Sequence, residues 1–304
     1  MGNTLFFDWE VQLMEWMQSL NNPILETIAK IFTMFGDEIV ITALLGFLYW
    51  CYDKEKAKYV VVAFMMSFGG CALIKGAVLR RRPYMVHEGI DCLRLPHSDG
   101  DAMNPLIQGF SCPSMHSGMS AAAMGAWGQI INKRGWIITA VVLPFFIGLS
   151  RIFLGVHYPT DVGLGWVFGG LSVLAVYLFF RKVKSRCILY FLPAVILLPG
   201  LFYCRDNEYF TGLGLSFGFA FSFLFEEKYV NFENTRDVIK CICRLVAGFA
   251  VFFGTSTLLK LPFDRAFVYS ATWGAYLLRV VRYALGVFLS IGVLPLSFNK
   301  CRFL

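Results

Sequence analysis

The feature that most constrains this chain is a series of apolar runs, most of about 20 residues, separated by short polar or charged breaks. A helix of that length crosses the hydrocarbon core of a bilayer. Only 15% of the 304 residues are charged, compared with about a quarter in soluble domains. We therefore predict an all-α fold, a polytopic membrane helical bundle with about five to six transmembrane helices in its first part and further transmembrane helices after them.

The basic break at residues 181–186 separates two groups of predicted spans. The predicted spans are Asp37–Tyr52, Lys56–Leu79, Ser114–Ile131, Trp136–Phe153 and Pro159–Phe180, followed by Ile188–Tyr203, Tyr209–Phe225, Cys241–Leu259 and Ala266–Phe298. The last run is long enough to tilt or break, and we expect this near Arg279 and Arg282. These two arginines lie on one side of a helix, where they would pair with a polar group or mark a second site.

The N-terminal segment has a different pattern. Apolar residues recur at helical spacing from Phe6 to Leu20, with acidic and amide side chains between them. This pattern predicts an amphipathic helix that lies in the membrane interface. The segment lacks a basic n-region, so we do not interpret it as a cleavable signal peptide.

Basic residues set the expected orientation. By the positive-inside rule, the side with most lysines and arginines is cytoplasmic. That side carries Lys54, Lys56, Lys58, Lys133, Arg134, Arg181, Lys182, Lys184, Arg186, Lys228, Arg236, Lys240, Lys300 and Arg302. The opposite side nevertheless holds one dense basic group, namely Lys75, Arg80, Arg81, Arg82 and Arg151. This group requires an explanation other than topology.

Three segments on the predicted extracytoplasmic side combine this basic group with polar side chains. They are Lys75 to Pro83, Pro113-Ser114-Met115-His116, and Ser150 to Asp161. Because all three meet the same membrane face, we expect them to converge on one pocket. Cations at the mouth of an apolar bundle are costly unless they pair with an anion, and no comparable set of acidic residues lies nearby in sequence. Arginine forks and the helix start at Ser114 suit phosphate oxygens, so the pattern indicates a phosphate site.

His157 is the candidate nucleophile of this site. Asp161 follows it by four residues, and Pro159 suits the first turn of a helix, so the carboxylate and the imidazole can approach each other. A carboxylate on one ring nitrogen fixes the tautomer and leaves the other nitrogen basic. His116 would then protonate the leaving oxygen, while the nearby cations stabilise the transferring phosphoryl group.

The three segments resemble the signature of the type 2 phosphatidic acid phosphatase superfamily, written KxxxxxxRP, PSGH and SRxxxxxHxxxD. The first and third match at every defined position, and Met115 stands where the family usually has glycine. The resemblance covers about Asp37 to Phe180. It implies an enzyme without metal or cofactor that hydrolyses a lipid phosphate or diphosphate through a phosphohistidine. The implied catalytic residues are His157, Asp161 and His116, and the implied phosphate-binding residues are Lys75, Arg82, Ser114 and Arg151.

This reading divides the chain into three parts. Residues 1–36 form the N-terminal interfacial segment, residues 37–186 the lipid phosphatase core, and residues 187–304 a C-terminal transmembrane extension. The extension is a candidate for shaping a groove for the lipid tail or for a homo-oligomer contact. We expect an integral protein of the bacterial plasma membrane with an extracytoplasmic active site, or a lumenal site if the protein is from the endoplasmic reticulum of a eukaryote.

Two other functions remain compatible with the same motifs. The protein could transfer the phosphoryl group to a lipid acceptor, or bind and translocate phospholipid without catalysis. The substrate also stays open among undecaprenyl diphosphate, phosphatidic acid, phosphatidylglycerol phosphate and long-chain base phosphates, because the motifs read only the phosphate. Nucleic acid is not an expected partner, since the net charge of +7 does not come from a basic stretch interleaved with aromatics.

The remaining polar features have simpler interpretations. Arg80 and Arg81 are interpreted as interfacial anchors or contacts to anionic headgroups. The loop from His87 to Ser111 is interpreted as a polar lid, with a cation site around Asp99 and Asp101 as the alternative. The nine cysteines include no CxxC pair, although Cys92 and Cys112 flank this loop and could pair in an oxidising compartment.

Overall fold

A computed structural model of the chain describes residues 2–96 and 101–298 and confirms the predicted all-α class in this part. The one β-type contact there is an isolated bridge between Asn3 and Arg80. The helices are α1 (Asp8–Ser19), α2 (Pro23–Met34), α3 (Glu38–Phe47), α4 (Lys54–Val78), α5 (Pro105–Gln108), α6 (Met115–Ile131), α7 (Arg134–Phe153), α8 (Pro159–Lys182), α9 (Arg186–Leu197), α10 (Asn207–Phe225), α11 (Val238–Leu258), α12 (Arg265–Val268) and α13 (Trp273–Val287).

Within the described residues, six helical stretches are long and apolar enough to cross a membrane. They are Lys54–Val78, Arg134–Phe153, Pro159–Lys182, Asn207–Val230, Val238–Leu258 and Trp273–Ser297. The helices at the predicted spans Ser114–Ile131 and Ile188–Tyr203 are also present, as α6 and α9, but each is shorter than these six. The protein is therefore a polytopic membrane bundle, as its hydropathy predicts.

The first predicted span, Asp37–Tyr52, differs from its prediction. Asn22 caps α2 by accepting hydrogen bonds from two backbone N–H groups, and Pro23 occupies the first helical position. Helix α2 then meets the helix Glu38–Tyr52 at a bend of 46°, so that the two helices together form one broken span or a re-entrant loop. The bend puts Asp37 in a corner beside α6 and α7.

Helix α1 is amphipathic, as predicted. Its aromatic side chains Trp9 and Trp16 are exposed, whereas Glu10 and Met14 are fully buried. The exposed aromatic face suits a membrane interface. The buried face was not foreseen. Glu10 accepts a hydrogen bond from the Thr160 backbone N–H at the start of α8, and α1 also contacts α7.

Helix α4 is the central helix of the bundle. It contacts α6, α8, α9 and α10, and it therefore touches both the first and the second group of spans. In its apolar stretch, 67% of the residues are buried inside the protein, compared with 17% in α11. The end of α4 carries Lys75, which lies at the junction of the two groups.

Helices α6 and α8 pack closely through small residues. A Cβ atom on Gly165 would lie 2.5 Å from the Ser114 carbonyl oxygen and 3.1 Å from the Gly118 nitrogen. One turn later, a Cβ on Gly169 would lie 2.6 Å from the Gly118 carbonyl oxygen. Small-xxx-small spacing is what lets two membrane helices bring their backbones together. This contact sets Ser114 and His116 beside the segment that carries His157.

We expect Gly165→Ala to destabilise the protein by about 1 to 3 kcal/mol, because the added methyl would overlap the backbone of α6. Thermal unfolding in detergent measures this effect as a lower midpoint. Gly163→Ala is the matched control, since nothing lies within 4 Å of a Cβ at Gly163. An equal midpoint for the two variants would contradict the close α6–α8 contact.

The last predicted span, Ala266–Phe298, is interrupted between Val268 and Trp273 and not near Arg279 and Arg282. Helix α12 ends at Val268, and α13 begins at Trp273 after Thr272, whose hydroxyl accepts a hydrogen bond from Ala275 N. Arg279 and Arg282 therefore lie within a continuous helix, and the prediction of a break near them is wrong. Helix α13 packs against α10 and α11 and completes the C-terminal part of the bundle.

Candidate active site

The three motifs converge at one end of the bundle, as predicted. They stand at the end of α4, the start of α6, the end of α7 and the start of α8. The Ser114 backbone N–H donates to the Asp161 carbonyl oxygen at 2.9 Å, which links the second motif to the third. Between Arg151 and His157 the chain turns at Gly155, whose φ of +77° favours glycine and whose Cβ would lie 2.1 Å from the Asp91 carbonyl oxygen.

His157 is buried in this pocket, with 2% of its surface exposed. Its Nε2 atom lies 3.2 Å from Arg82 Nη1. Burial and the surrounding positive charges, of which Arg82 is the strongest, hold the pKa of His157 well below its ordinary value. The imidazole is therefore neutral near pH 7, and its Nε2 lone pair faces the cations rather than the protein core.

Arg82 and Arg151 are both buried. Arg82 donates to the backbone carbonyl oxygens of Gln108, Gly109 and Val156 at 2.8 to 3.0 Å. Arg151 Nη1 donates to Thr33 Oγ1 at 2.8 Å, but its Nε has no hydrogen-bond partner among the described residues. A buried guanidinium N–H without a partner fits a site built for an anion.

Asp161 is placed differently from its prediction. Its Oδ2 lies 3.8 Å from His157 Nδ1, beyond hydrogen-bond distance, and Nδ1 has no hydrogen-bond partner in the described part of the chain. The carboxylate instead accepts hydrogen bonds from the Ser111 hydroxyl and the Tyr158 backbone N–H. It faces the imidazole, but the direct hydrogen bond expected from the i, i+4 spacing is not formed.

Arg80 is the main site residue that the sequence interpretation missed. It is 4% exposed and forms ion pairs with Asp161 at 2.6 Å and Glu10 at 2.7 Å. Its guanidinium also lies 3.8 Å from the ring centre of Tyr158. The interpretation of Arg80 as an interfacial anchor is therefore wrong. Hydropathy could not reveal this, because the run Arg80-Arg81-Arg82 gives no sign of which side chain points inward.

His116 has an acidic partner from the bend before α3. Its Nε2 lies 3.0 Å from Asp37 Oδ1, and Asp37 also pairs with Arg94 at 2.6 Å. The Asp37 carboxylate therefore orients the His116 ring. The sequence offered no signal for this pair, since the two residues stand 79 positions apart.

Lys75 also pairs with a distant carboxylate. Its Nζ lies 2.8 Å from Glu208 Oε2, at the start of α10. The other Glu208 oxygen and Arg82 Nη2 both lie close to Gly109, so the carboxylate stands near two of the predicted phosphate-binding cations. The C-terminal group of spans thus supplies an acidic group to the pocket, whereas sequence analysis found no acidic partner near Lys75.

We expect Glu208→Gln to lower the KM for a phosphate substrate by about three- to tenfold, because it removes a negative charge beside the phosphate-binding cations. Steady-state kinetics with a short-chain lipid phosphate measures this change. Glu233→Gln is the control, because Glu233 is exposed at the opposite end of the bundle. A higher KM for Glu208→Gln would instead mean that the carboxylate holds Lys75 in position.

The side chains of Ser114 and Met115, at the start of α6, have different surroundings. The Ser114 hydroxyl is fully buried and accepts from Ser117, as an N-cap residue does. The Met115 side chain packs in the large apolar core cluster that includes α4. The residue that departs from the motif therefore fills the core rather than the pocket.

The loop after α4 carries two of the remaining predictions, of which the structure tests one. Cys92 and Cys112 are free thiols and do not pair. Residues 97–100, and with them Asp99, lie outside the described residues, so the alternative cation site stays untested. Among the residues that the structure describes, no three His, Cys, Asp or Glu side chains are grouped closely enough to hold a metal ion.

The fold and the pocket together define a class: polytopic membrane proteins in which buried arginine and lysine side chains lie around a buried histidine. Comparison with family models agrees. The PAP2 superfamily model matches residues 56–185, and a model described as PAP2 superfamily phosphatase, transmembrane extension, matches residues 210–303.

Three relatives are similar to parts of this chain. The undecaprenyl-diphosphatase BcrC of Bacillus subtilis is 30% identical over 54% of this chain and 77% of its own length. A lipid A 1-phosphatase of Rhizobium etli is 29% identical over 54% of this chain and 73% of its length. A bacitracin transport permease protein BcrC of Bacillus licheniformis is 50% identical, but this match spans only 15% of this chain and 22% of that protein.

Among solved structures, the crystal structure of Aquifex aeolicus LpxE matches with a TM-score of 0.48 and 23% identity, over 56% of this chain and 96% of that one. The sequence matches are sufficient for assignment: this chain belongs to the PAP2 superfamily. It is an integral membrane enzyme of the phosphatase class, with a transmembrane extension after the catalytic part.

Proposed function

We propose that this protein hydrolyses a lipid diphosphate, undecaprenyl diphosphate foremost, through a phosphohistidine on His157 and without a metal. The observation that carries this proposal is the placement of His157. Its imidazole is buried and neutral near pH 7, and its Nε2 atom lies 3.2 Å from Arg82 Nη1. A neutral imidazole that points into a cationic pocket is suited to attack phosphorus.

The reaction would proceed in two steps. His157 Nε2 attacks the terminal phosphorus, the bond from phosphorus to the leaving oxygen breaks, and His116 donates a proton to that oxygen. Water then gives a proton to His116 and attacks the phosphohistidine, so that the P–N bond breaks and inorganic phosphate is released. Lys75, Arg82 and Arg151, with Ser114, would hold the phosphoryl oxygens in both steps, and Asp161 would stabilise the positive charge that develops on the His157 ring.

The preferred substrate follows from the relatives. The undecaprenyl-diphosphatase BcrC relative supports a polyprenyl diphosphate, and the lipid A 1-phosphatase relative makes lipid A the second candidate. Both are amphiphiles, with an apolar tail and a phosphate or diphosphate group at the membrane interface. An apolar tail can remain in the bilayer while the phosphate enters the pocket at the helix ends.

The test is to trap the intermediate. Purified protein in detergent with EDTA is mixed with substrate labelled in its terminal phosphate and quenched on the millisecond scale. We expect a labelled protein whose label is stable to base, labile to acid and carried by the peptide that contains His157. Label on another residue, or activity that disappears with EDTA, would overturn the proposed mechanism.

A substrate panel completes the test. Initial rates of phosphate release are compared for undecaprenyl diphosphate, lipid A and phosphatidic acid, and the products are separated to distinguish transfer to water from transfer to a lipid acceptor. We expect the highest kcat/KM for undecaprenyl diphosphate, with inorganic phosphate as the product. A labelled lipid product would instead indicate a phosphotransferase.

We also propose that the active site faces outward from the bacterial cytoplasm, with residues 37–186 as the catalytic core and residues 187–304 as the extension. The basic connections at the other end of the bundle support this orientation. Reporter fusions at Lys184 and in the loop from His87 to Ser111 test it. A cytoplasmic signal from the loop would reverse the orientation.

A further inference from the structure

A second cavity lies between the catalytic part and the extension, away from His157. Its volume is about 270 Å³, and its walls come from α3, α4, α10, α11 and α13. Most of the lining is apolar and aromatic, including Phe64, Phe68, Phe219 and Phe252. Phe64 and Phe68 line the cavity from α4, whereas Lys75 lies about two turns further along the same helix, in the catalytic pocket. None of the predicted catalytic or phosphate-binding residues lines it.

A buried cation stands in the wall of this cavity. Arg282 is 3% exposed and donates from Nε to the Ser256 carbonyl oxygen at 3.1 Å and from Nη2 to the Ser256 hydroxyl at 2.9 Å. Both acceptors are neutral, and Arg282 forms no ion pair with any residue that the structure describes. An unpaired charge within a membrane helix is costly unless an anion approaches it.

Two further cations stand near Arg282. Lys260, just after α11, also lines the cavity, and Arg279 lies one turn from Arg282 on α13. Burial and the positive charges of Arg282 and Arg279 lower the pKa of Lys260, which places the three groups within electrostatic range of one another. Glu38 also lines the cavity, and the negative charge of Asp206 acts on Arg279. Among the described residues named here, three cations therefore stand against two carboxylates.

We propose that this cavity binds an anionic phospholipid of the surrounding bilayer, at a site separate from the catalytic one. The phosphodiester would accept hydrogen bonds from Arg282 and Lys260, and the start of an acyl chain would lie against the phenylalanines. Charge complementarity selects an anionic lipid over a zwitterionic one, because a zwitterion brings its own cation into a group that is already positive. Such a lipid would join α3 and α4 of the catalytic part to the extension.

Native mass spectrometry of the full-length protein tests this directly. After titration with phosphatidylglycerol or phosphatidylcholine, we expect the wild type to retain one phosphatidylglycerol that phosphatidylcholine does not replace. Arg282→Gln is expected to weaken this retention by about tenfold or more, since a hydrogen-bonded charge contact is lost. Arg236→Gln is the control, because Arg236 is exposed and does not line the cavity.

Two further variants distinguish the loss of a lipid contact from misfolding of the protein. Arg282→Lys keeps the charge and should keep phosphatidylglycerol selectivity, whereas Thr42→Trp fills the cavity from α3, keeps every cation and should lose it. Equal retention by wild type and Arg282→Gln, or no preference for phosphatidylglycerol over phosphatidylcholine, would overturn the proposal. So would a site that accepts only a polyprenyl phosphate.

This readout counts bound lipid and does not depend on phosphate release. The lipid-binding proposal is therefore tested independently of the proposed reaction. A protein that fails to hydrolyse any lipid diphosphate could still retain phosphatidylglycerol at Arg282, and an active phosphatase could lack the site.

Discussion

Replacing His157 by glutamine is expected to reduce kcat/KM for a lipid diphosphate by on the order of 10⁴-fold or more, because the residue would form the covalent bond to phosphorus. Glutamine keeps a polar side chain of moderate size beside Arg82 but has no nucleophilic ring nitrogen. Phosphate release in detergent, measured under single-turnover and steady-state conditions, gives both the rate and any residual burst.

The control for this variant is another histidine on the same side of the membrane. His87 lies outside the pocket, where its Nε2 is 3.1 Å from the Tyr158 hydroxyl and its ring packs edge-on against Phe6. His87→Gln is expected to keep activity within a few-fold of the wild type. If His157→Gln also remained within that range, His157 would not be the nucleophile.

Replacing Arg80 by methionine is expected to destabilise the folded protein by about 3 to 5 kcal/mol, because it leaves Asp161 and Glu10 as buried carboxylates without a cation. The variant should also lose most of its activity, since Arg80 holds the carboxylate that faces His157. Thermal unfolding in detergent, followed by intrinsic fluorescence, measures the first effect, and phosphate release at a temperature where the variant is folded measures the second.

Two companion variants separate charge from geometry at Arg80. Arg80→Lys keeps one positive charge but cannot reach both carboxylates with a planar fork, so its unfolding midpoint should lie between those of the wild type and Arg80→Met. Arg134→Met removes an arginine that is exposed at the opposite end, and it should leave the midpoint unchanged. Equal midpoints for Arg80→Met and Arg134→Met would show that the buried ion pairs contribute no stability.

The family and the place of the pocket could be read from the sequence because both depend on local patterns. Apolar runs predict spanning helices by length alone, and the alternation of spans puts the motifs around Lys75, His116 and His157 on one membrane face. The residues predicted to bind phosphate were recognised as a set of three ordered motifs and not one by one. These inferences need no knowledge of how the helices pack.

The partners of those residues were decided only by the tertiary structure. Glu208 reaches Lys75 from a helix 133 positions later, and Asp37 reaches His116 because the first span bends before α3. Arg80 turns inward between Glu10 and Asp161, although its neighbours in sequence give no sign of this.

Helix packing also decided the distance between His157 and Asp161. Their spacing of four residues permits a hydrogen bond, but Arg80, Ser111 and the Tyr158 N–H hold the carboxylate 3.8 Å from the imidazole. The sequence by itself therefore determined the membrane bundle, its family and the groups that would meet a phosphate. The fold alone decided which charges neutralise one another, because that depends on contacts between side chains far apart along the chain.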